Sequence, residues 1–157
     1  MPEWQAARRI FCPIGEEHIV EILRCSCMIP MPDTGSTAFV VVIAEDEPLI
    51  RMTAVDELTD AGFVVIEAEH AAEAIAILQI QAAHVDLLFT DIHMPGAMDG
   101  LALAHHANAN WPWIAVLLAS GKASPNAHEM PTGSRFLAKP YDPLHLVAHA
   151  KELTAVK

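Results

Sequence analysis

A carboxylate, Asp91, closes the run Val85-Asp86-Leu87-Leu88-Phe89-Thr90, and the turn-forming pair Met94-Pro95 soon follows. The acidic pair Glu45-Asp46 closes a second apolar run at residues 39–44, Ser120 follows a third run, and Lys139 a fourth. Brought together, three carboxylates repel one another and raise one another's pKa unless a cation joins them. Hard oxygen ligands with room for water suit Mg2+, which takes one or two carboxylates and completes its shell with water or phosphate oxygens. A carboxylate held beside such an ion can act as a nucleophile toward a phosphoryl group and form an aspartyl phosphate. Lys139 would neutralise charge on the phosphoryl oxygens, and Gly121 beside Ser120 leaves space for a ligand. Taken singly, each residue has an ordinary explanation. An Asp after a strand is commonly a turn residue, an acidic pair before a helix complements its dipole, and a lysine is normally solvated. Their conjunction at four run ends is what points to a shared site.

That conjunction requires the runs to be neighbouring strands. Residues 39–44 are rich in Val and Ile, as a buried strand demands, and Pro48 suits the first turn of a following helix. Leu49, Met52, Val55 and Leu58 recur at three-residue steps and are expected to form its buried face, with Gly62 closing it. Residues 63–67 read as the second strand, and residues 71–82 as an Ala-rich helix burying Ile75 and Leu78. The Asp91 strand is third. Asp99-Gly100 caps a helix reaching about Asn110. Residues 113–118 and 135–138 supply the fourth and fifth strands. Asp142-Pro143, an N-cap followed by a first-turn proline, opens the last helix. Strands alternating with helices predict an α/β fold: a doubly wound, five-stranded parallel sheet of flavodoxin-like order 2-1-3-4-5. In that order strands one and three are adjacent, so Glu45, Asp46 and Asp91 meet at one sheet edge.

Composition agrees with this architecture. The 157 residues are 53% hydrophobic and 18% charged, enough apolar matter for one packed domain with an appendage. A formal net charge of -11 argues against direct binding of nucleic acid or an anionic membrane. No apolar run approaches the roughly 18 residues of a membrane span. Glu16, Glu17 and Glu21 interrupt the stretch after Arg8-Arg9, so no secretory signal is expected and the chain reads as cytoplasmic. Residues 1–37 are punctuated by Pro2, Pro13, Pro30 and Pro32 and read as an irregular extension with at most a short helix over 17–25. Cys12, Cys25 and Cys27 lie there, too few for a zinc site by spacing, and are expected as reduced thiols. The folded domain is residues 38–157.

Four segments carry a family resemblance: Val41-Val42-Ile43-Ala44-Glu45-Asp46-Glu47, Phe89-Thr90-Asp91-Ile92-His93-Met94-Pro95, Leu118-Ala119-Ser120-Gly121 and Phe136-Leu137-Ala138-Lys139-Pro140-Tyr141. Together they resemble the receiver domain of two-component response regulators. The resemblance implies that Asp91 is the phosphoacceptor, with a histidine kinase or histidine phosphotransfer protein as donor. It implies that Glu45, Asp46, Asp91 and the backbone carbonyl of His93 hold Mg2+, and that Ser120 is the switch hydroxyl. It further implies that Lys139 contacts the phosphoryl group, that Phe136 is the aromatic whose rotamer reports activation, and that the bond before Pro140 is cis.

The sequence departs from the family pattern at residues 122–133, where the fourth helix belongs. Pro125, Pro131 and Gly133 there predict a loop with at most one helical turn. The segment 96–99 is also one residue longer than the common form, and the Gly121-Lys122 region resembles a subset of single-domain receivers. His145 and His149, four apart on the last helix, read as a surface pair without a carboxylate partner. With the chain ending soon after the fifth helix, the expected function is a stand-alone receiver signalling to an unknown downstream protein. The alternatives are a phosphate sink without output or a Mg2+-dependent phosphatase with an aspartate nucleophile. The phosphatase typically has a second Asp two residues past the nucleophile, where this chain has His93.

Overall fold

The expected strands form and all pair in parallel, in one sheet made of β1 (Arg9–Ile10), β2 (Val40–Ala44), β3 (Val64–Ala68), β4 (Leu87–Asp91), β5 (Ala115–Ser120) and β6 (Arg135–Ala138). The computed structural model describes residues 9–10, 38–122 and 125–155. The strand order is β1-β3-β2-β4-β5-β6, so the five core strands follow the 2-1-3-4-5 order expected. The two-residue β1 is an addition: Arg9 and Ile10 pair with Val65 and Ile66 along the open side of β3, whose unpaired backbone groups invite such pairing. The short helix over 17–25 and the cysteine thiols lie outside the described residues.

Side chains alternate across the sheet, and this alternation builds two cores. Val41, Ile43, Leu87, Phe89, Leu117 and Ala119 face α1 (Pro48–Asp60) and α4 (Pro143–Ala155), meeting Ala54, Val55, Leu58, Leu146 and Ala150. Val42, Ala44, Ile66 and Leu88 face the opposite side, against α2 (Ala71–Gln81) and α3 (Gly100–Asn110), through Ala74, Ile77, Leu78, Leu103 and Ala107. Because both faces are covered, the strands can be apolar throughout, as β2, β4 and β5 nearly are. A short 3-10 turn, Ala82–His84, prolongs α2, and Asp99 and Asp142 cap α3 and α4 by accepting from the amides of Ala102 and Leu144.

Two details differ from the sequence reading. On α1, Leu49 and Met52 point outward, Leu49 being 68% exposed; the buried set is Arg51, Ala54, Val55 and Leu58. A charged residue therefore sits where Met52 was expected, because acceptors at the ends of β2 and β3 satisfy it. On α2, Ile75 is half-buried while Ile77 joins Leu78 in the core. Between β5 and β6 the described residues form turns and no helix, as the prolines predict. His105 Nε2 lies 2.7 Å from the Glu129 carbonyl, pinning this loop to α3.

Candidate functional site

The carboxyl ends of β2, β4, β5 and β6 converge on one crevice. Asp91 is the last residue of β4 and only 6% exposed, and Glu45, directly after β2, is 2% exposed. Lys139, directly after β6, bridges them: its Nζ lies 2.6 Å from Glu45 Oε2 and 2.9 Å from Asp91 Oδ1. The other oxygens are held by backbone amides, Asp91 Oδ2 accepting from His93 N at 2.9 Å and Glu45 Oε1 from Glu47 N at 3.3 Å. The Lys139–Pro140 peptide bond is cis.

The electrostatics follow from burial. Desolvation pushes the Glu45 carboxyl above its ordinary pKa; the Lys139 hydrogen bond and charge oppose this, and the nearby Asp91 charge adds to the rise. Burial pulls the Lys139 ammonium the other way, but its hydrogen bonds and attraction to Glu45 and Asp91 together leave it above the usual lysine value. Lys139 is therefore firmly cationic, and one cation faces an excess of acid. Glu45, Asp46 and Asp91 each offer a carboxylate oxygen, all within 4.8 Å of one another. An all-oxygen, net-negative donor set of this spacing fits a hard divalent cation.

Ser120 ends β5 and is fully buried. Its hydroxyl stands 3.0 Å from His93 Nδ1 and accepts from Lys122 N at 3.1 Å. Phe136 sits apart from these polar groups, half-buried beside Met130 in the cluster of Ile92, Ala104, Val116 and Leu118. The crevice opens into a cavity of about 690 Å³ lined by Asp91, His93, Lys122 and Lys139 together with Leu49, Ile50 and Tyr141. A mouth with this apolar wall beside a buried carboxylate can admit a partner side chain while limiting water.

The structure thus brings Glu45, Asp46, Asp91 and Lys139 together, places Ser120 next to them through His93, and leaves Phe136 in an apolar cluster. Three further residues were not singled out from sequence for what they do here. The His93 ring engages Ser120, beyond any part its backbone plays. Tyr141 packs edge-on against Phe89, ring centroids 6.1 Å apart, and its buried hydroxyl has no partner among the described residues. Burial and the charges of Glu45 and Asp91 hold that phenol in its protonated form. Arg51, 6% exposed, donates from Nη1 to the Glu45 carbonyl at 2.7 Å and reaches Glu69 at 3.0 Å and Glu67 at 3.5 Å. The spacing 51, 54, 55, 58 carries the signal for Arg51, since it is a helix stripe once a charged residue is allowed in it.

A family model described as the response regulator receiver domain matches residues 41–151. The chain is 33% identical over 116 residues to the sensor kinase CckA of Brucella abortus (strain 2308), a match covering 72% of this chain but only 12% of the kinase. It is 31% identical over 117 residues to the response regulator receiver protein CpdR of the same organism, covering 72% of this chain and 94% of CpdR. A crystal structure of a response regulator receiver protein from Sinorhizobium medicae WSM419 superposes with a TM-score of 0.70 at 29% identity, covering 75% of this chain and 95% of that one. Among the described residues no helix is long and apolar enough to cross a membrane.

Proposed function

The chain belongs to the response regulator receiver family of two-component signalling, and we propose that it accepts a phosphoryl group on Asp91 from a histidine kinase or histidine phosphotransfer protein. A carboxylate oxygen of Asp91 forms the new bond to phosphorus as the donor's bond to phosphorus breaks. The observation that carries this reading is the Lys139 ammonium shared between Asp91 and Glu45 in a buried crevice. Lys139 orients the nucleophile and is placed to meet charge on the incoming phosphoryl oxygens. Glu45, Asp46 and Asp91, with the His93 carbonyl, would hold Mg2+, which when bound supplies charge neutralisation for the phosphoryl group.

Phosphorylation brings a charge approaching -2 and three acceptor oxygens into the crevice. Ser120 is the hydroxyl placed to respond, and doing so means leaving His93 Nδ1. Movement of Ser120 and Lys139 would shift the ends of β5 and β6, and with them Phe136 and the loop between the two strands. A downstream protein reading that surface is the output; release of the phosphate without such a reader would make the protein a sink.

The test is incubation with acetyl phosphate and Mg2+, followed by intact mass, for wild type and Asp91→Asn. One phosphoryl group gained by the wild type and none by the variant is the expected result. A wild type that stays unmodified, or a variant modified equally, overturns the assignment.

A further inference from the structure

Arg51 is a buried charge that the phosphoryl-transfer site does not itself use. Its side chain leaves α1 toward the sheet, and the three acceptors it meets belong to two strand ends. One is the main-chain carbonyl of Glu45, at 2.7 Å; the others are the carboxylates of Glu67 on β3 and Glu69 just after it. The planar guanidinium can serve several acceptors in fixed directions at once, which a lysine ammonium cannot do from a single point. Glu69 is itself tied down, its amide donating to Glu73 Oε2 at 2.7 Å. The chain of contacts therefore runs from α2 through Glu69 and Arg51 to the peptide that joins Glu45 to Asp46.

That peptide decides where two of the three clustered carboxylates start. The Glu45 amide donates to the Ala68 carbonyl at 3.1 Å, so β3 fixes one side of Glu45, and Arg51 fixes the other through the carbonyl. Asp46 is half-buried and follows directly on the clamped carbonyl. We infer that Arg51 is a positioning residue for divalent-cation binding: by gripping the Glu45 carbonyl it sets the Glu45-Asp46 peptide so that both carboxylates face Asp91. This rests on the reading of Glu45, Asp46 and Asp91 as the Mg2+ site.

The sign of one substitution separates this role from simple electrostatics. Removing a cation beside a dication site, and uncovering Glu67 and Glu69, would by charge alone tighten Mg2+ binding. Loss of positioning weakens it, by tenfold or more if the effect matches that of other residues that orient metal ligands, about 10- to 100-fold. Mg2+ affinity is measured by titration calorimetry on the full chain for wild type, Arg51→Gln and Arg51→Lys, with urea denaturation alongside. Arg51→Gln should bind roughly tenfold more weakly or worse, and Arg51→Lys, which keeps the charge and can still reach the Glu45 carbonyl, should fall between it and wild type. Glu67→Gln loosens the same cluster without touching the Glu45 carbonyl; it should lower the urea midpoint and leave Mg2+ affinity within a factor of about two. Affinity in Arg51→Gln equal to or tighter than wild type overturns the inference, as does an equal weakening in Glu67→Gln. If Arg51→Gln does not fold, Arg51→Lys decides alone: weaker binding than wild type supports positioning, and equal or tighter binding overturns it. A wild type that binds no Mg2+ would instead remove the metal-site reading, a failure distinct from an unchanged affinity in the variants.

Discussion

One added methyl group at Gly100 should disable this protein through the backbone of its phosphoacceptor. Gly100 is the first residue of α3, after the Asp99 cap, and its amide donates to the Ile92 carbonyl at 2.9 Å. A Cβ built there would stand 1.7 Å from the Asp91 carbonyl oxygen, 2.6 Å from its carbon and 2.8 Å from Thr90 Oγ1. Real Cβ contacts essentially never fall below 3.0 Å, so the start of α3 and the end of β4 must part by more than an ångström. The two nearest atoms in the way are main chain, and no rotamer change can relieve them. Overpacking of a rigid core costs about 1–3 kcal/mol and sometimes more, and a backbone clash belongs at the upper end, at about 3 kcal/mol or above. Against a total stability of about 5–15 kcal/mol this is a large fraction. With a urea dependence of about 1–3 kcal/mol per molar, the midpoint should fall by roughly 1–3 M. Since the displaced residue is Asp91 itself, phosphorylation by acetyl phosphate should fall even where the variant remains folded. Gly121→Ala is the control: its Cβ would meet Lys139 Cβ at an ordinary 3.8 Å, and the change should stay under about 1 kcal/mol. Gly100→Ala within about 0.5 kcal/mol of wild type and phosphorylated at the wild-type rate would refute the reasoning.

Two further substitutions test the buried polar groups. Glu73 is buried on α2, and desolvation raises its carboxyl above the ordinary value of 4.5, with the Glu69 amide as the main opposing influence. A raised native pKa means the folded state holds the proton more tightly than the unfolded one. Glu73 therefore contributes stability below about pH 4.5 that is lost as pH rises through its native pKa. Glu73→Gln should flatten this fall in a series of urea midpoints taken upward from pH 4.5, whereas curves parallel to wild type would show that Glu73 titrates normally. Tyr141→Phe keeps the edge-on contact with Phe89 and removes a buried hydroxyl that has no partner among the described residues. It should raise stability by about 1 kcal/mol, and a clear loss in urea denaturation would mean that the hydroxyl has found a partner in solution.

The amino-acid order alone determined the strands, since β-branched runs bounded by turn residues leave few other ways to bury so much apolar surface, and it determined that acidic side chains end two of them. It also marked the segment between β5 and β6, where the described residues form turns, because prolines at 125 and 131 lack the amides a helix needs. Strand order turned those separate run ends into one crevice, which local pattern could suggest only through topological rules. Pattern counting failed where polar residues are buried. Hydrophobicity favours Met52 over Arg51 because it does not reveal that acceptors wait at the ends of β2 and β3. Local pattern makes Gly100 part of a helix start, yet its lack of a side chain is required by the Asp91 carbonyl at the end of β4. Periodicity records what each residue would prefer on its own; the contacts that decide Arg51, Gly100 and the His93–Ser120 hydrogen bond join residues on separate elements, and they exist only after those elements have packed.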